Sequence, residues 1–391
     1  MPMNQLDFDH PVERRGTASF KWDGAEAAFG RGDVIPLWVA DMDFPCAPEI
    51  LEAFEARIRH GVMGYTIRTP RYLEAVRAWF RSRHGWEVPE DHLAFAPPGV
   101  IFAVNVLIDI LTKPGDRIVM QTPNYDALMS SVTEGGRILA ENPLKVENGR
   151  YTLDFDGLER ELARPGTKVL LMSNPNNPTG RLWTPEELRR LGEMCLAHGV
   201  TILSDDIHAD LAMPGYRYTP LPSLSPELAR ASVLLTSTNK TFNLGGLQMA
   251  TLAIGDEELR MRFNQAMCRY QTRLDNLFGA VALETAYEKC GYWLDQAVAY
   301  IDGNRRALEK FAEEHLPQLK FCPMEATYFS WVDFSGLGKG EGLESFLVEE
   351  CGVALTPGRE FSEQYSQFMR VNLACRRELL LQAFRQIARR I

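Results

Sequence analysis

One lysine, Lys240, stands in TSTNKTFNLGG (236–246), among small polar residues and two glycines and directly after the apolar run SVLL. Three other segments place reactive or planar side chains at the same point of the local pattern, just where an apolar run ends. TKVLLMS (167–173) leads into NPNNPTG (174–180) with Asn177, VTILSD (200–205) ends in Asp205, and DRIVMQ (116–121) leads into TPNY, ending in Tyr125. In open α/β sheets ligands bind outside the carboxyl ends of the strands. If these runs are strands of one sheet, an amine, a carboxylate, an amide and an aromatic ring meet along one edge.

APPGVIF (96–102) adds a proline-glycine turn that opens the apolar helical pattern VIFAVNVLIDIL. The free amides and dipole of such a helix start can hold a phosphate. A ligand suited to this set is flat, aromatic and phosphorylated, and carries a group that an amine attacks. Pyridoxal 5'-phosphate meets all four conditions. Lys240 would then join the aldehyde and shuttle the substrate α-proton, Asp205 would keep the pyridine nitrogen protonated, Asn177 would donate to the ring hydroxyl oxygen, and Tyr125 would stack on the ring. Each residue alone has a plainer reading: a solvated loop lysine, a capping acid, a turn. The ordered set carries the assignment.

The elements that must position these residues are legible in the alternation of strand and helix patterns from about residue 45 to 255. That alternation predicts a mainly parallel sheet flanked by helices. SVLLTS (232–237) and MATLAI (249–254) complete the expected strands. Thr184-Pro185-Glu186-Glu187 supplies an N-cap, a proline at the first helical position and a capping-box glutamate, and Gly199 follows the helix end. Beyond residue 256 long helices and short strands point to a second, smaller α+β domain. The expected division is an N-terminal segment at 1–45 that joins the small domain and covers the site, a large ligand-binding domain at 46–288, and a C-terminal small domain at 289–391.

With 391 residues and 45% apolar residues the chain can bury a sizeable core, and the net charge of −10 argues against a broad nucleic-acid or anionic-membrane surface. Seven scattered cysteines with no CxxC pair suit reduced thiols. The N-terminus lacks an apolar signal core and no run is long enough to span a bilayer, so the expectation is a cytoplasmic protein. No histidine-cysteine spacing suits a metal. The glycines of GLGKGEG (336–342) have the wrong spacing for a dinucleotide loop and read as a connection, and Asp41 and Asp43 read as caps or braces of the N-terminal segment.

Taken in order, IPLWVADMDF (35–44), GYT (64–66), PPGV, TPNYDAL, NPNNPTG, SDDIHADL, NKTFNLGGL and RVNLACRR (370–377) resemble the fold type I pyridoxal-phosphate enzymes, and within them the MalY/PatB-type carbon-sulfur lyases, or cystathionine β-lyases. The resemblance covers nearly the whole chain. It implies that Gly99, Val100, Ile101 and Ser237 bind the cofactor phosphate, and that Tyr65 reaches the phosphate in a neighbouring subunit, which makes a homodimer with shared active sites. It further implies that His208 lies near the ring hydroxyl, that Arg370 clamps the substrate α-carboxylate, and that Ala40 lies on the substrate side with Tyr125 and Asn177. A planar bidentate fork suits arginine to that clamp. Arg376, Asn239, Asp206 and Gln248 depart from the residues usual at their positions.

The activity so implied is β-elimination on cystathionine or a cysteine S-conjugate, giving thiol, pyruvate and ammonia. An aminotransferase needs the same lysine, aspartate and arginine, and so stays open beside it. From another class, a regulatory protein-binding module with residual cofactor binding is a third reading.

Overall fold

The computed structural model describes residues 5–147 and 149–391. The first four residues of the expected N-terminal segment therefore lie outside the described residues. Seven strands build the central sheet: β1 (Leu93–Ala96), β2 (Arg117–Thr122), β3 (Ile138–Pro143), β4 (Thr167–Ser173), β5 (Thr201–Asp205), β6 (Ser232–Thr236) and β7 (Ala250–Ile254). They lie side by side in the order β1-β7-β6-β5-β4-β2-β3. Strand β7 runs antiparallel to both neighbours, and the other pairings are parallel. A parallel neighbour needs a crossover of a dozen or more residues, usually a helix. Residues 237–249, between β6 and β7, hold only a four-residue helix (Thr238–Thr241) and a 3₁₀ turn, so the chain returns antiparallel. That short helix carries Lys240.

Helices cover both faces, as the alternation of side chains along a strand requires. In β4, Val169 and Leu171 join a core with the Val100–Leu111 and Glu257–Arg269 helices, while Leu170 and Met172 join another with the Phe155–Leu162 and Pro185–Ala197 helices. Strand β4 begins and ends where the apolar run TKVLLMS does, and the other four expected strands agree within one residue. Strands β1 and β3 were not expected. β1 is four residues long, and β3 is an edge strand whose half-exposed ILAENP has no apolar run. Thr184 and Glu187 form the reciprocal capping box of the Pro185–Ala197 helix, at 2.8 and 3.2 Å.

The smaller domain has a four-stranded antiparallel sheet in the order Lys320–Phe321, Phe329–Asp333, Phe368–Asn372, Thr356–Pro357. It packs with the 25-residue helix Gly291–His315 and the helix Arg377–Ala388. Ile35–Pro36 pairs in parallel with Val353–Ala354 of this part of the chain. GLGKGEG forms short 3₁₀ turns between the Phe329–Asp333 strand and the following helix. Among the described residues no helix is long and apolar enough to cross a membrane, and no three His, Cys, Asp or Glu side chains cluster so as to hold a metal ion.

Candidate active site

The carboxyl ends of the parallel strands open on a cavity of about 350 Å³. Lys240 and Asp205 both line it, with Tyr125 and Asn177. Gly99, Val100 and Ile101 bring the start of the Val100–Leu111 helix to its wall, and Ala40 and His208 complete the expected set around it. Gly99 takes φ 109°, a conformation that disfavours any side chain, and this turns the chain into the helix with its first amides free.

Three expected residues do not line the cavity: Ser237, Tyr65 and Arg370. Ser237 is buried but turned to the backbone, its hydroxyl donating to the Met249 carbonyl at 2.5 Å and accepting from the Asn239 amide at 3.1 Å. Tyr65 is 95% exposed, away from this cavity. Arg370 stands behind the cavity wall, in the Phe368–Asn372 strand. Its Nη1 donates to Asn177 Oδ1 at 3.0 Å, its Nη2 to the Trp38 carbonyl at 3.0 Å, and its guanidinium lies 4.1 Å from the centre of the Phe329 ring.

Burial sets the charges of this site. Burial lowers the Lys240 amine to about 8, with the positive charge of Arg370 acting in the same sense and Asp41 and Asp205 opposing it. Burial raises the Asp205 carboxyl to about 6, against the Ile207 amide and Lys240. Arg370 is lowered to about 10, again by burial. His208 is pushed well down by burial and by the two cations, so its ring is neutral near pH 7. Its Nδ1 is buried with no hydrogen-bond partner, as are Asn239 Oδ1 and Arg370 Nε.

These groups fit pyridoxal 5'-phosphate. The Asp205 carboxylate accepts from the Ile207 amide at 3.2 Å and suits a cationic ring nitrogen as its further partner. Unpaired donors and acceptors around the cavity suit the remaining polar atoms of a ring, and the helix start suits its phosphate.

Several residues that shape the site are not singled out by the sequence, though Asn372 and Asn243 lie within its motifs. Lys240 Nζ donates to the Ala40 carbonyl at 2.7 Å, and the buried Tyr328 hydroxyl donates to the same oxygen at 2.8 Å. Asn372 holds the carbonyls of Val39 and Asp41 at 2.7 and 2.6 Å, and Asn243 holds both backbone groups of Met42. These two amides fix the WVADMDF segment over the site. Asp43 braces the same segment, pairing with fully buried Lys21 at 2.8 Å and with Arg14 at 2.6 Å. The signal for such residues is tertiary, because each acts on a backbone carbonyl distant in sequence. Asn239 and Gln248, singled out as departures, do line the cavity.

A seven-stranded mixed sheet that gathers a lysine, an aspartate and a helix start along one edge, beside a smaller α+β domain, is the fold of the pyridoxal-phosphate-dependent transferases of fold type I. The chain belongs to the aminotransferase class I and II family, which residues 32–387 match. It is 39% identical to cystathionine β-lyase PatB of Bacillus subtilis (strain 168), over 98% of this chain and 99% of that one. It is 31% identical to protein MalY of Escherichia coli (strain K12), over 96% of each. Cystalysin of Treponema denticola, solved with a pyridoxal 5'-phosphate cofactor, superposes with a TM-score of 0.94 at 32% identity, over 98% of each chain.

Proposed function

We propose that the protein is a pyridoxal-phosphate-dependent carbon-sulfur β-lyase, which eliminates the thiol from cystathionine or a cysteine S-conjugate and yields pyruvate and ammonia. One observation carries the proposal: Lys240 and Asp205 line a single cavity, where burial lowers the amine to about 8 and raises the carboxyl to about 6, an amine with a ready neutral fraction and an acid short of a cationic partner. Similarity to PatB and cystalysin over nearly the whole chain supports elimination as the outcome. The bound cofactor supplies an electron sink for the pair left at the substrate Cα when its proton departs.

The residues of this chain do the rest. Lys240 Nζ, lowered to about 8, has a neutral fraction near pH 7 to 8 and takes the α-proton. Asp205 keeps the ring nitrogen protonated. Arg370 holds the substrate α-carboxylate, and with Asn177 it fixes which bond at Cα faces the amine, a contribution of orientation. Tyr125 stacks against the ring, Val100 and Ile101 offer amides to the phosphate, Ser237 serves the phosphate only by turning its hydroxyl away from the Met249 carbonyl, and neutral His208 faces the ring hydroxyl.

The apolar side chains of Ile58, Val62, Met63 and Ile67 flank Tyr65 and are more than half exposed, which supports a homodimer in which Tyr65 completes the neighbouring site. Free thiols at all seven cysteines support a cytoplasmic, reducing location. The small domain is assigned to 289–391 with the N-terminal segment 1–45, and the large domain to 46–288.

Transamination through the same residues is the competing outcome, and products separate the two. Holoenzyme given L-cystathionine is expected to release thiol and pyruvate in equal amounts. Glutamate formed from an amino acid with 2-oxoglutarate, without pyruvate or thiol in the first assay, would sink the lyase reading.

A further inference from the structure

Behind the substrate-facing wall lies a second ionic centre. Arg181 and Glu325 are each about 1% exposed, and Arg181 Nη1 meets Glu325 Oε2 at 2.9 Å. Glu325 also accepts from Arg150 Nε at 2.5 Å and from the Leu182 amide at 2.9 Å, while Arg181 Nη2 meets Glu187 at 2.6 Å. A buried ion pair is seldom the most stable filling for its space, so its value lies in what it orients.

The pair joins two segments that converge again on Arg370. Arg181 lies four residues after Asn177, whose Oδ1 accepts from Arg370; Glu325 lies four residues before Phe329, on whose ring the Arg370 guanidinium rests. Between Glu325 and Phe329 the backbone is strained, because Thr327, a β-branched residue, takes φ 74°. It is held there from several sides. The amides of Glu325 and Ala326 donate to the Gly180 carbonyl at 3.1 and 2.9 Å, the Thr327 amide to the Leu211 carbonyl at 2.9 Å, and Thr327 Oγ1 accepts from the Phe329 amide at 3.1 Å.

Resting on the activity proposed above, we infer that Arg181, Glu325 and Thr327 are positioning residues: they close a rigid frame that sets Asn177 and Phe329 around Arg370 and so govern affinity for the substrate carboxylate. None of them lines the cavity, so they touch neither cofactor nor substrate and act through Asn177, Phe329 and Arg370.

The test uses holoenzyme of Glu325→Gln and Thr327→Gly. For both, KM for L-cystathionine rises about tenfold or more and kcat falls with it, because Arg370 and Asn177 also set which bond at Cα faces the amine, while cofactor content falls by less than about twofold, since misaiming a binding group by a fraction of an ångström weakens it steeply. In the cofactor-free chains, hydrogen exchange at the amides of Thr327 and Phe329 quickens by about tenfold or more. Glycine adopts the Thr327 conformation without strain, so Thr327→Gly tests the frame even if Glu325→Gln does not fold. An unchanged KM in soluble Thr327→Gly, or exchange at these amides no faster than wild type, overturns the inference. Should wild type yield neither pyruvate nor glutamate, the activity reading falls, while the exchange measurement still decides whether the frame exists.

Discussion

Asp205 is buried and Lys240 partly buried at the cavity wall, so each carries its charge at a cost that the cofactor is suited to offset. For the carboxylate the consequence is measurable. Its folded value of about 6 lies above the ordinary 3.8, so the cofactor-free fold binds that proton more tightly than the unfolded chain and loses stability as pH rises from about 4 to about 6. The loss is on the order of 3 kcal/mol. Cofactor-free Asp205→Asn, which keeps the shape without the charge, is expected to melt above wild type at pH 8 and with it at pH 4, and to bind the cofactor poorly at either pH. Equal melting temperatures at pH 8 would contradict the buried charge. For the amine, attack on the aldehyde needs the neutral form, so cofactor capture by the cofactor-free chain should slow about tenfold per pH unit below about 8. Stopped-flow absorbance follows it, and a rate still rising about tenfold per pH unit from pH 8 to 10 would refute the lowered amine. Lys240→Ala removes the covalent link and is expected to abolish both the bound-cofactor absorbance of the linked lysine and pyruvate formation.

At the scale of elements, the sequence was most readable where burial was complete. Strand β4 is buried at six of its seven positions, so an unbroken apolar run marks it, and the same holds for β5 and β6. Asn177, Asp205 and Lys240 could be found because each follows such a run. Tyr328 and Thr356 could not, since nothing local distinguishes a polar residue of the small domain from one whose partner is a carbonyl about 300 positions away. The braced N-terminal segment shows the same limit. Asp41 and Asp43 were readable as braces, but fully buried Lys21 at the other end of the brace was not. Removing one member of a buried pair leaves the other uncompensated. Asp43→Ala, which leaves Lys21 only Asp41 at 3.7 Å, is expected to destabilise the chain by about 3 kcal/mol in urea titration. A change below about 1 kcal/mol would show that the brace is relaxed in solution.

For the whole molecule, the exposed stretch around Tyr65 is where the proposed dimer can be tested. Val62 is 61% and Ile67 72% exposed, an arrangement suited to burial against a second copy. Sedimentation is expected to give twice the chain mass, and Val62→Asp combined with Ile67→Asp to halve it while lowering cofactor occupancy, because the neighbouring Tyr65 is withdrawn. A wild-type monomer with full cofactor would refute the shared site. The N-terminal segment has a consequence of its own at this scale. Residues 35 and 36 are stitched to Val353–Ala354, Met42 is held by Asn243 beside Lys240, and Ala40 hangs between those two anchors. That strap is a tether across the cleft, so a protease nick near Val39 would leave the ellipticity almost untouched and yet bleach the protein, as the severed ends let the lid drift from the lysine it roofs.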